Sequence, residues 1–110
     1  NAPDLLSKNL SIIISINMVH ISPIESAEGL FKGAGNYLGE NSKLILYGPF
    51  NRNGEHTSPS NIEFDNWLRS NNPSWGIRDI TQMEKFAKNN GLSLIKDIAM
   101  PANNFILIFN

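Results

Sequence analysis

Apolar positions along the chain follow two periods. The run Leu10-Ser11-Ile12-Ile13-Ile14-Ser15-Ile16 is rich in β-branched residues with little polar alternation. That is the pattern of a strand covered on both faces, as in a parallel sheet flanked by helices. Ile24, Ala27, Leu30, Phe31, Ala34 and Leu38 then recur at helical spacing and define one buried face. Ser22 is placed to cap this helix, Pro23 sits where its missing N–H costs nothing, and Glu25 completes a capping box. Gly39 is the expected stop. Residues 43–47 form a second apolar strand, which closes a β-α-β unit.

Further along, Ser60-Asn61-Ile62-Glu63 offers another capping box, ahead of a short amphipathic helix carrying Phe64, Trp67 and Leu68 and ended by Asn72-Pro73. Asp79 is expected to cap a third helix, with Ile80, Met83, Phe86 and Ala87 on its inner face and Asn90-Gly91 at its end. Leu92, Leu94, Ile98 and Met100 alternate as a strand, residues 101–104 turn, and residues 105–109 make an apolar last strand. So short a turn makes the last two strands an antiparallel hairpin. Residues 1–9 read as a loop or frayed turn. The expected architecture is a single α/β domain, β-α-β-α-α-β-β, with a mixed sheet and a terminal hairpin.

Composition narrows the function classes. At 110 residues the chain builds one modest core rather than two. Nine basic against ten acidic residues, a net charge of -1, give no electrostatic reason to expect nucleic-acid binding. The longest apolar stretch is too short to cross a bilayer, and no basic start precedes an apolar core at the N-terminus; no membrane association and a cytoplasmic location are expected. The absence of cysteine excludes disulfides and thiolate metal sites, and two histidines far apart without a supporting cluster give no metal motif.

Candidate chemistry gathers where strands end in polar loops, since a buried strand fixes the base of a loop that reaches solvent. The segment from Tyr47 through Gly48-Pro49 to Asn61 holds Arg52, His56, Thr57, Ser58 and Asn61, groups suited to a carboxylate or phosphate; a plain solvated loop fits the same composition. His20, beside Asn17 just past the first strand, is suited to general-base work near neutral pH or to satisfying local backbone groups. Arg78 either pairs with Asp79 or faces the cleft. Glu25 and Glu28 share a helix face, but negative charge in the first turns of a helix is favoured by its dipole, and the structural reading is preferred. Gly33-Ala34-Gly35 lies at the end of a helix rather than between a strand and a helix start, the wrong context for a phosphate-binding turn.

Taken in order, Asn17-Met18-Val19-His20-Ile21-Ser22-Pro23, Tyr47-Gly48-Pro49-Phe50, His56-Thr57-Ser58-Pro59-Ser60-Asn61, Phe64-Asp65, Trp75-Gly76-Ile77-Arg78-Asp79 and Met100-Pro101-Ala102-Asn103-Asn104 closely resemble the DUF938 family, which includes methyltransferase-like protein 26. That family is similar to class I S-adenosylmethionine (SAM)-dependent methyltransferases. The resemblance implies a Rossmann-like sheet of which residues 1–110 are the C-terminal half, a partial domain without the Gly-rich turn and ribose-binding acid of the SAM-binding half. It also implies SAM as the family's cofactor, with none bound by this chain alone. Asn17 and His20 would lie near the cofactor, His20 also as a base. Tyr47, Arg52, His56, Asn61 and Arg78 would surround a small polar or anionic acceptor. A half-domain would leave Leu10–Ile16 as an unpaired apolar edge, so a homodimer or higher oligomer through that strand is expected. A noncatalytic binding or assembly module is the alternative function.

Overall fold

Strand β1 (Leu10–Ile16) leads through residues 17–23 into helix α1 (Ile24–Tyr37), which returns the chain to strand β2 (Leu38–Gly48), parallel to β1. The computed structural model describes residues 10–110, without the side chains of residues 10, 11 and 39–41. The loop expected over residues 1–9 lies outside the described residues. After β2 come a two-residue strand β3 (Phe50–Asn51), helix α2 (Pro59–Asn71), a two-residue strand β4 (Arg78–Asp79) and helix α3 (Ile80–Asn89). The hairpin of β5 (Leu94–Met100) and β6 (Asn104–Phe109) closes the chain around a 3-10 turn at Pro101–Asn103. The main sheet runs β1-β2-β6-β5, with β6 antiparallel to both neighbours, which is the mixed sheet and terminal hairpin expected. The small β3-β4 pair, parallel and separate from it, is too short for any period to announce.

One sheet face carries the core. Leu44 and Leu46 of β2 and Phe105, Leu107 and Phe109 of β6 are buried against Ala27, Phe31 and Ala34 of α1 and Ile80, Met83 and Ala87 of α3. Phe31 meets Phe109 edge-on at 5.0 Å and tilts toward Phe86 at 6.1 Å. Each fully buried Leu, Phe or Met among them contributes about 1.5–3 kcal/mol when removed from water. Gly35 sets how closely the two helices approach: a Cβ there would lie 2.5 Å from the Asn90 carbonyl oxygen. Gly35 is thus a packing feature between α1 and the end of α3, whereas a Cβ on Gly33 would meet nothing within 4 Å.

The opposite face differs from expectation. Ile12, Ile14 and Ile16 are 55–59% exposed, so β1 is covered on one side only, and β1 is an edge of the sheet. Pairing aligns Ile14 with Ile45 and Ile108, and Ile16 with Tyr47 and Ile106. Because side chains alternate along strands, these residues form two apolar rows across three strands, and no helix among the described residues packs over them.

Two helix starts are also corrected. The cap of α1 is Pro23, whose extended backbone (φ -58°, ψ 152°) supplies no side-chain hydrogen bond. Ser22 instead turns its hydroxyl back to donate to the Met18 carbonyl at 2.8 Å. Helix α2 begins two residues before the expected box: Ser58 caps it, its Oγ accepting from the Asn61 N–H at 3.2 Å, with Pro59 in the first helical position. Proline's preference for that position outweighs the Ser60–Glu63 pattern. Asp79 caps α3 as expected, accepting from the Thr81 N–H at 2.8 Å. At the end of α1, Leu38 passes directly into extended backbone, and the helix stops without using Gly39.

Candidate functional site

The loop after β1, the end of β2 and the β5–β6 turn meet at one edge of the sheet, and α2 lies beside them. Together they enclose a cleft of 490 Å³ lined by Asn17, His20, Ile21, Pro49, Ser60, Asn61, Phe64, Ala102 and Asn104, within the size range of small-molecule sites. Asn17 turns the chain sharply in the left-handed region (φ 54°), its N–H bonded to the Tyr47 carbonyl at 2.8 Å. A Cβ on Gly48 would lie 3.2 Å from Asn17 Oδ1 and 3.6 Å from His20 Nδ1. The bare backbone at Gly48 therefore lets both side chains close over the end of β2.

His20 is 4% exposed, with its Nδ1 buried and without a hydrogen-bond partner among the described residues. Its ring meets Phe64 edge-on at 5.6 Å, and Phe64 in turn stacks on Trp67 at 6.1 Å. Burial, and after it the Arg78 charge, pull the imidazole below its ordinary value of 6.5. At neutral pH it is therefore an uncharged acceptor of protons. The segment carrying it is clamped from behind. Arg78 donates from Nε to the Val19 carbonyl at 3.1 Å and from Nη2 to the Ser22 and Ser74 carbonyls at 2.8 Å, while the His20 carbonyl accepts from the Gly76 N–H at 3.0 Å. Arg78 neither pairs with Asp79 nor lines the cleft; it holds the His20 loop by its backbone.

The other sequence candidates are spread around this edge. Asn61 reaches the cleft, its Nδ2 bonded to Thr57 Oγ1 at 3.2 Å and to the Asn103 carbonyl at 3.3 Å, which ties α2 to the hairpin turn. Tyr47 lies on the open sheet face beside Ile16 and Ile106. Arg52 is turned away, paired with Asp97 at 2.8 Å and lying over the Phe105 ring at 5.4 Å. His56 lies 3.8 Å from Asp65, outside the cleft lining. Asp65 is a structural hub that sequence reasoning passed over. Its buried carboxylate accepts from the Ile77 N–H at 2.8 Å and from Arg69 Nε at 3.0 Å. The signal was the spacing of Asn61, Asp65 and Leu68, one helix face on which the first two members are polar.

The chain superposes on a putative O-methyltransferase from Nostoc punctiforme with a TM-score of 0.80 at 15% identity, covering 94% of this chain and 32% of that one. It superposes on the mitomycin 7-O-methyltransferase MmcR with a TM-score of 0.79 at 11% identity, covering 97% and 31%. For the calicheamicin-biosynthesis methyltransferase CalO1, in its SAH-bound form, the TM-score is 0.74 at 11% identity, covering 89% and 29%. The fold is that of SAM-dependent methyltransferases, and the chain spans about a third of the length of these structures. Residues 2–110 match DUF938, described as a protein of unknown function, and the chain belongs to that family.

Tested against SAM, the site is incomplete. Among the described residues, the cleft lining contains no carboxylate to hold a ribose, and no glycine-rich turn connects a strand to a helix N-terminus. Asn17 and His20 line this cleft from the end of β1. Among the described residues there is also no cluster of three or more metal-ligating side chains, and no helix long and apolar enough to cross a membrane.

Proposed function

We propose that residues 1–110 are the acceptor-side part of a SAM-dependent methyltransferase domain whose cofactor-binding half is a separate stretch of polypeptide. The observation that carries this reading is His20, a buried, neutral imidazole lining a small-molecule-sized cleft at the sheet edge of a methyltransferase-type fold. SAM, when bound, supplies an electrophilic methyl group. This chain's residues exclude water, orient the acceptor and take its proton at the His20 imidazole. Asn17 and Asn61 offer amide contacts from either side, and Arg78 keeps the loop in place. Arg52 and His56 act on the outer edge of the loop rather than on the acceptor.

The test is transfer of labelled methyl from SAM by the complete gene product that contains these residues, before and after His20→Gln. Losing a general base costs about 10²–10⁴-fold in rate. The variant should therefore lose at least about 100-fold in kcat while its KM for SAM stays near that of the parent. An unchanged kcat would remove His20 from the chemistry.

The open face formed by Ile12, Ile14, Ile16 and their neighbours on β2 and β6 favours a second reading for the chain on its own. With an apolar sheet edge uncovered, it acts as an assembly module and pairs with a second copy through β1.

A further inference from the structure

Among the described residues, the lining of the cleft assigned above to the acceptor carries no formal charge. Asn17, Ser60, Asn61 and Asn104 supply amides and a hydroxyl, and Ile21 and Phe64 supply apolar walls. No Lys, Arg, Asp or Glu is among the described residues lining it. The two arginines that the sequence offered for an anion are committed elsewhere, Arg52 to Asp97 and the Phe105 ring, Arg78 to three backbone carbonyls. Taking a carboxylate or phosphate out of water without a facing cation is costly, whereas a hydroxyl needs only a hydrogen bond.

His20 sharpens the choice. It is almost fully buried, its Nδ1 has no partner among the described residues, and burial favours its neutral form. A neutral imidazole accepts a hydrogen bond from a weakly acidic O–H. A carboxylate, which only accepts at neutral pH, competes with it for donors. Phe64, edge-on to His20 and stacked on Trp67, presents an aromatic wall beside the imidazole.

We infer that the acceptor is an uncharged molecule with a flat apolar body and a weakly acidic hydroxyl, phenol-like in chemistry, rather than a carboxylate or a phosphate ester. This rests on reading the cleft as the acceptor site. The body lies against Phe64 and Ile21, and the hydroxyl donates to His20.

Two probes of similar shape and opposite charge character separate the possibilities. The complete gene product that contains these residues, isotope-labelled, is titrated at neutral pH with para-cresol and, in parallel, with para-toluate, and the amide resonances of Asn17, His20, Ile21 and Phe64 are followed. Para-cresol should shift these resonances and bind about tenfold or more tightly than para-toluate, a difference set by desolvating the carboxylate. Equal or tighter binding of para-toluate at the same resonances overturns the neutral-acceptor inference and leaves the cleft as the acceptor site. If neither probe moves His20 or Phe64, the inference and the cleft assignment both fall.

Discussion

A histidine buried at a sheet edge is a cost that the rest of the molecule offsets, and its protonation reports on that environment. The His20 value is lowered in the folded state by burial and by Arg78, so below about pH 6.5 the unfolded chain binds a proton that the folded chain resists. The stability contribution of the neutral form is complete above the unfolded value and is lost as pH falls from there through the folded value. Urea unfolding at neutral pH and at pH 5 should show this loss in the parent and a smaller one in His20→Gln; an identical pH response in the two would contradict it. The place of His20 at the end of a strand was legible in the sequence, because Asn17 and His20 directly follow the apolar run Leu10–Ile16. Partners were not. That Arg78 spends its donors on Val19, Ser22 and Ser74, and Arg52 on Asp97, depends on contacts between residues up to 59 positions apart, which no local pattern encodes.

At the scale of elements, periodicity located every long strand and helix, since burial of one face leaves a period that survives in the sequence. Helix starts were less legible. Ser60–Glu63 reads as a capping box, yet the helix is capped by Ser58 with Pro59 in the first helical position. The close approach of α1 to the end of α3 was hidden as well, because a glycine that admits a neighbouring backbone carries no period. Gly35→Ala tests it. A methyl 2.5 Å from the Asn90 carbonyl oxygen forces the helices apart, and despite alanine's better helix propensity the variant should lose about 1–3 kcal/mol in urea unfolding. A gain in stability would show that the α1–α3 contact yields freely.

At the largest scale, the described residues form a sheet with one finished face and one open one. The sequence implied helices on both sides of β1, whereas the described residues cover one side only and leave Ile12, Ile14 and Ile16 exposed; what covers a strand face is not a local property. In the 110-residue chain alone, two rows through Ile14 and Ile16 present apolar surface, and self-association is the expected outcome. Light scattering at micromolar concentrations should give a mass above the monomer, and Ile14→Glu, placed on the exposed face, should return it to the monomer; a monomeric parent would contradict the β1-edge assembly. In a complete domain the same face is where the cofactor-binding half would pack, and the cleft beside His20 would gain its missing walls. Calorimetric titration of SAM tests that account most directly, performed on the complete gene product that contains these residues and on the 110-residue chain by itself. Binding in the micromolar range by the former and none at millimolar SAM by the latter is the predicted result. Tight binding by the 110 residues alone, or no binding by the complete product, would contradict it.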